Sequence, residues 1–178
     1  EVLQRNLPLL GENDDFWVGQ RVSRGVDLVG GDFWQNGGPN VIVECTPLPF
    51  KARAHLYRDG IDVVFPSVQR IPPECLSPNV KSHNYLNMII ADQEVRSVNP
   101  NAWALLLDTR GFLAEGMGSN VFLVRDGVIY TPKVQYVLAG VSRQTVVELA
   151  EQLKLKVVED DLTPYDAVTA DEAFITST

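Results

Sequence analysis

Three places in this sequence carry residue types and settings suited to chemistry: Lys81 in VKSHNYLN, Glu115 in FLAEGMGSN, and Gly140-Val141-Ser142 in VLAGVSR. An amine that attacks an aldehyde and then carries a proton between carbon atoms must be deprotonated, and desolvation favours that form of a lysine. Lys81 follows a Pro-rich stretch and precedes a helical pattern. Such a junction, in a crevice between two structural units, is where a small molecule would be bound away from water. Glu115 ends the strand-like FLAE ahead of a Gly-rich turn, which would aim one carboxylate into the crevice. Gly140, Val141 and Ser142 lead directly into a helix, so their N–H groups and the Ser142 hydroxyl can face an anion such as a phosphate. Each also has a plainer reading: a solvated lysine, a turn-flanking surface glutamate, and a helix start with Ser142 as N-cap.

The elements that would position these residues follow from the apolar patterning. DFWVGQRV at 15–22 and NVIVEC at 40–45 read as strands joined by a Gly-rich connection. The apolar run IDVVF at 61–65 precedes a stretch with four prolines between Pro66 and Pro78, the best linker candidate. NYLNMIIADQEV at 84–95 carries an apolar band a helix could bury, stopped by Asn99-Pro100. Apolar runs at 103–108, 119–124 and 127–131, with turns at Thr109-Arg110-Gly111 and Arg125-Asp126-Gly127, imply antiparallel hairpins. A helix is expected over 142–154, with Val146, Leu149, Ala150 and Leu153 on its buried face. Strand, short helix and strand follow at 155–160, 164–168 and 172–176.

Composition narrows the function classes. With 178 residues, 45% hydrophobic and 21% charged, the chain can bury a sizeable core. A net charge of -8 without any Lys/Arg run argues against nucleic-acid binding. No segment approaches the ~20 apolar residues of a membrane helix and the start lacks signal-peptide character, so a cytoplasmic protein without membrane partners is expected. Cys45 and Cys75 lack metal-ligand spacing and read as two thiols, and His55 and His83 are too few for a histidine-rich metal site. Residue 1 is Glu and the chain stops in AFITST, so a piece of a longer protein is expected, incomplete at both ends.

Four segments stand in order along the chain: VKSHNYLN (80–87), FLAEGMGSNVFLV (112–124), VLAGVSRQTVVELA (137–150) and DEAFITST (171–178). At these separations they resemble the lysine, glutamate, phosphate-loop and Ser/Thr-loop motifs of the class IV (fold type IV) aminotransferases, which include branched-chain and D-amino-acid transaminases. The likeness extends more weakly through QRVSRG and PLPFKARA. It implies pyridoxal 5'-phosphate as cofactor, held by Lys81 as a Schiff base. Glu115 would face the pyridine nitrogen and keep it protonated, so that the ring accepts the electrons released with the substrate's α-proton. Gly140, Val141 and Ser142 would hold the phosphate, Leu138 would lie against the ring, and Tyr85 would hydrogen-bond the phenolic oxygen. Ser177 and Thr178 would donate to the phosphate and the substrate carboxylate. Outside the family, Leu138 and Tyr85 read as ordinary core residues.

The implied fold is α+β in two domains: 1–74 the C-terminal part of the smaller one, 75–79 a linker, and 80–178 the larger, cofactor-binding domain. The implied activity is transamination between an amino acid, branched-chain favoured, and a 2-oxo acid, by a homodimer or higher homo-oligomer. Two alternatives stay open: aminodeoxychorismate lyase-type elimination of pyruvate, and a non-catalytic binding or dimerisation module. Two departures from the family stand out. No arginine corresponds to the N-terminal phosphate-binding arginine, Arg24 reading as structural, and the strands that carry much of the substrate pocket have no counterpart.

Overall fold

A computed structural model describes residues 1–177; Thr178, expected to serve as a phosphate or carboxylate donor, lies outside the described residues. The chain divides into two compact units, Glu1–Gly60 and Ile61 onward. The division falls upstream of the Pro-rich stretch, which belongs with the second unit.

In the first unit, α1 (Val2–Asn6) and a 3-10 turn (Leu7–Leu9) precede β1 (Phe16–Ser23) and β2 (Asn40–Pro47). The two strands pair antiparallel from Phe16↔Pro47 to Ser23↔Asn40. Two strands cannot bury both of their faces, and Val18, Val22, Val41, Ile42 and Val43 are exposed. In the connection between them, Arg24 donates to the Phe33 carbonyl at 2.8 Å, pairs with Asp27, and lies over the Phe33 ring. The short helices α2 (Phe50–Arg53) and α3 (Leu56–Asp59) complete the unit.

The second unit runs β3 (Val63–Val64), α4 (Leu86–Val98), β4 (Trp103–Leu107), β5 (Leu113–Gly116), β6 (Asn120–Arg125), β7 (Val128–Pro132), α5 (Val141–Gln152), β8 (Val157–Asp160), α6 (Pro164–Thr169) and β9 (Glu172–Thr176). It is α+β, with a three-stranded sheet in the order β3-β4-β5 and a four-stranded sheet in the order β8-β7-β6-β9. The expected hairpins form. β4 pairs antiparallel with β5 and β6 with β7, and the tight turns use left-handed backbone at Gly111, Asp126 and Gly127. β7 and β8 pair in parallel across α5, as a helical crossover requires.

The continuous apolar runs of β4 and β6 have a physical reason, since both faces of these strands are covered. Ala104 and Leu106 join Met88, Ala91 and Val95 of α4 in one cluster, while Leu105 turns to Leu113, Val121, Leu123 and Leu162 in a second. Phe122, on the other face of β6, packs with Ile129 and Ala150 of α5 and stacks on Phe174 of β9.

Helix α5 departs from expectation at both its start and its buried face. It begins at Val141, its N-cap is Gly140, and no side chain caps it, so Ser142 is not the N-cap. Its inward stripe carries Arg143, Val146 and Ala150, whereas Leu149 and Leu153 are exposed. Positions 143, 146 and 150 recur at i, i+3 and i+7, so the register that buries Arg143 turns Leu149 and Leu153 away.

Candidate active site

The second unit contains a cleft enclosing about 450 Å³, open solvent included, lined by Lys81, Tyr85, Glu115 and Leu138 together with Arg70 and Gly118. Four of the expected site residues, drawn from segments far apart in sequence, therefore share one space.

Lys81 stands in the irregular segment ahead of α4, where the bonds Val80 N–H to Ser77 O (3.1 Å) and Ser82 N–H to Val80 O (2.7 Å) keep the chain tightly turned. Burial was expected to desolvate Lys81, whereas the residue is exposed. Among the described residues no carboxylate pairs with its amine. Tyr85, half-buried, is the N-cap position of α4 and packs on the cluster built from Met88, Ala91 and Val95. The His83 ring meets it edge-on at 5.6 Å.

Glu115, near the end of β5, is 4% exposed. Both of its oxygens are engaged: Arg70 Nε donates to Oε1 at 2.7 Å and the Leu138 N–H donates to Oε2 at 3.0 Å. The strand-to-turn geometry that aims the carboxylate inward depends on Gly116, where an added Cβ would lie 2.5 Å from Ser119 Oγ, and on Gly118 with φ +99°.

Leu138 is held from both sides. Its N–H meets Glu115, and its carbonyl accepts from Asn120 Nδ2 at 2.9 Å. Upstream, the Arg110 guanidinium lies 3.8 Å over the Tyr136 ring while paired with Asp108 and Asp161, and Lys133 reaches Asp161 at 2.6 Å. The hydrogen bonds from Arg110, then Lys133, hold the Asp161 carboxyl below the usual aspartate range.

Gly140, Val141 and Ser142 do not line the cleft; they follow Leu138 and open α5. The first-turn N–H groups of a helix have no acceptor within it, so the backbone there can receive an anion. The Ser142 hydroxyl is committed elsewhere, donating to the Ser177 carbonyl at 2.9 Å. Ser177 Oγ in turn donates at 2.8 Å to the carbonyl of Gly118, which does line the cleft. The terminal segment is thus tied both to the start of α5 and to the rim of the cleft.

Two residues escaped the sequence reading. Arg70 lies inside the Pro-rich stretch, where it passed for linker, and the one signal was a single basic residue in that stretch. Asn120 sits within the GSN of a recognised segment, but as a polar residue opening a strand it had no stated task.

A model of the family described as amino-transferase class IV matches residues 20–178. A Methanocaldococcus jannaschii protein is 41% identical over 165 residues, which are 92% of this chain and 56% of that protein. A branched-chain-amino-acid aminotransferase of Pseudomonas aeruginosa is 39% identical over 122 residues, covering 68% of this chain and 39% of its own length. The crystal structure of the branched-chain amino acid aminotransferase from Thermobaculum terrenum, in its PLP (holo) form, aligns with a TM-score of 0.70 at 32% identity. That alignment covers 87% of this chain and 50% of the other. The chain therefore spans about half the length of the relatives it matches.

Proposed function

The chain belongs to the class IV aminotransferase family, and on that premise we propose that the protein it comes from transfers an amino group between an amino acid and a 2-oxo acid with pyridoxal 5'-phosphate. The observation that carries the proposal is the single cleft lined by Lys81, Tyr85, Glu115 and Leu138. A primary amine, a phenol and a buried carboxylate around one space are a donor set that fits a planar heteroaromatic aldehyde with a basic ring nitrogen. Bound there, that group would supply an electron sink for the α-carbanion.

The protein residues divide the remaining work. With the cofactor bound, Lys81 Nζ would be the amine that holds its aldehyde and, once released, the base that moves a proton from the substrate's α-carbon. Glu115 would face the ring nitrogen and favour its protonated form. Tyr85 would offer its hydroxyl to the phenolic oxygen, and Leu138 would bear on the ring face. The opening of α5 at Gly140, Val141 and Ser142 would receive the phosphate through backbone N–H groups, and Ser177 and Thr178 are proposed as further donors.

Branched-chain amino acids are the favoured substrates, a reading supported by the names of the Pseudomonas and Thermobaculum relatives. In domain terms, residues 1–60 would supply part of a smaller domain, and the Pro-rich stretch, with its expected linker at 75–79, would join 80–178 in the larger one. The working form would be a cytoplasmic homodimer or higher homo-oligomer. Cys45 and Cys75 are free thiols, and no helix among the described residues is long and apolar enough to cross a membrane.

The test uses the purified full-length protein. Visible absorbance that disappears on borohydride reduction, with the reduced adduct recovered on the Lys81 peptide, is the expected result; Lys81→Ala should abolish both the adduct and turnover. Near wild-type turnover in that variant would remove Lys81 from the mechanism. Product release that requires a 2-oxo acid acceptor supports transamination, whereas pyruvate release without an acceptor would establish the lyase reaction instead.

A further inference from the structure

The Arg70–Glu115 contact stands apart from the other ion pairs. Its side chains are 11% and 5% exposed, and no other ion pair among the described residues has both partners so far out of solvent. Exposed pairs contribute little, whereas removing one partner of a buried pair leaves an uncompensated charge. Arg70 also lines the cleft beside Lys81.

The segment that carries Arg70 is held firmly. Its backbone N–H donates to the Leu107 carbonyl of β4 at 2.8 Å. Asn87 of α4 donates to the Gln69 carbonyl at 3.2 Å, and Ser67 N–H and Oγ bond the two Glu94 oxygens at 2.7 and 2.8 Å. Pro72 and Pro73 stiffen the chain immediately beyond. A guanidinium presented from so fixed a base can fix what it touches.

We propose that Arg70 is a positioning residue for the reaction: with the Leu138 N–H, it locks the rotamer of Glu115 and supplies the positive charge against which that carboxylate faces the ring nitrogen. Each carboxylate oxygen has two acceptor sites, so one bond from Arg70 and one from Leu138 fix the plane and leave acceptor capacity toward the cleft. Without Arg70 the carboxylate is free to turn, and it meets the ring nitrogen with its charge uncompensated on the far side. The Pro-rich stretch is then part of the site and not a tether. The inference rests on the proposed cofactor reading.

The experiment compares wild type, Arg70→Gln, Arg70→Lys, Glu115→Gln and the Arg70→Gln/Glu115→Gln pair as full-length protein. Three quantities are measured: the dissociation constant of pyridoxal 5'-phosphate from the reconstituted apoprotein, the visible band of the bound cofactor, and the melting temperature. Arg70→Gln should weaken retention by about 10- to 100-fold, the loss of one charge-assisted hydrogen bond. It should also move the band in the direction Glu115→Gln moves it. In the Glu115→Gln background the same change should alter retention by less than about 3-fold, because the group it orients is gone. Arg70→Lys, which keeps the charge but not the planar fork, should recover part of the loss, and it serves as the test if Arg70→Gln does not fold. A purely structural role would lower the melting temperature and leave the band in place; that result, or an equal loss of affinity in both backgrounds, overturns the inference. If wild type itself forms no borohydride-reducible adduct at Lys81, the cofactor reading fails first, and the two failures are thereby told apart.

Discussion

Gly140→Ala tests the architecture of the β7–α5 loop through the sign of its effect. Gly140 has φ -65° and ψ 145°, a conformation open to any residue. If backbone freedom were all that mattered, alanine would stabilise the protein by about 0.4–1 kcal/mol through the unfolded chain. Space decides otherwise: a Cβ at this position would stand 2.3 Å from Asn120 Oδ1. The Asn120 amide must retreat or rotate, yet its Nδ2 is donating to the Leu138 carbonyl at 2.9 Å and the residue is only 7% exposed. Losing that bond in a nearly dry setting costs about 1–3 kcal/mol, which outweighs the entropic gain. A net destabilisation of about 1–2 kcal/mol is expected, measured by urea unfolding and checked in an Asn120→Ala background. There the obstacle is gone, and Gly140→Ala should become neutral or stabilising. A Gly140→Ala protein at least as stable as wild type, or one that loses as much in both backgrounds, would refute the reasoning. Because the Leu138 N–H holds Glu115, a displaced Leu138 should also loosen cofactor retention, and Gly140→Val should do so more severely.

Ser142→Ala removes the bond to the Ser177 carbonyl, at a half-exposed position. We expect a loss of about 0.5–1.5 kcal/mol in urea unfolding, and a smaller drop in cofactor retention than Gly140→Val causes; the reverse ranking would place the phosphate away from Gly140. Asp161→Asn should destabilise the protein at neutral pH. The Asp161 carboxyl lies below its unfolded value because Arg110 and then Lys133 bond it, so its contribution is present above about pH 4 and is lost as pH falls through the folded value. Melting temperatures of variant and wild type should therefore converge as pH falls below about 4, and a gap that stays constant as the protein is acidified would rule the pair out as the source.

The parts of this site that were legible in the sequence were those whose cause is local. The β6–β7 hairpin was visible because Arg125-Asp126-Gly127 supplies the left-handed backbone its turn needs, and the pairing closes at Arg125↔Val128. Lys81, Glu115 and Leu138 were expected because four segments in order resemble one family, and the cleft brings the three residues together. Causes that act across the chain left little trace. The buried face of α5 depends on the strands it packs against, so a pattern of four apolar positions suggested Leu149 and Leu153 where the fold instead buries Arg143. Four prolines suggested a linker because proline marks segments without regular hydrogen bonding. In the fold, the same stiffness presents Arg70 to a carboxylate 45 residues away. A rigid, irregular segment can deliver one side chain as accurately as a strand can, provided a few bonds fix it at its base. Ser67 to Glu94, Asn87 to Gln69 and Arg70 to Leu107 do this here. The four recognised segments supply the groups that would touch a cofactor, while Arg70, Asn120 and the Leu138 backbone, two of them invisible at sequence level, decide where those groups point.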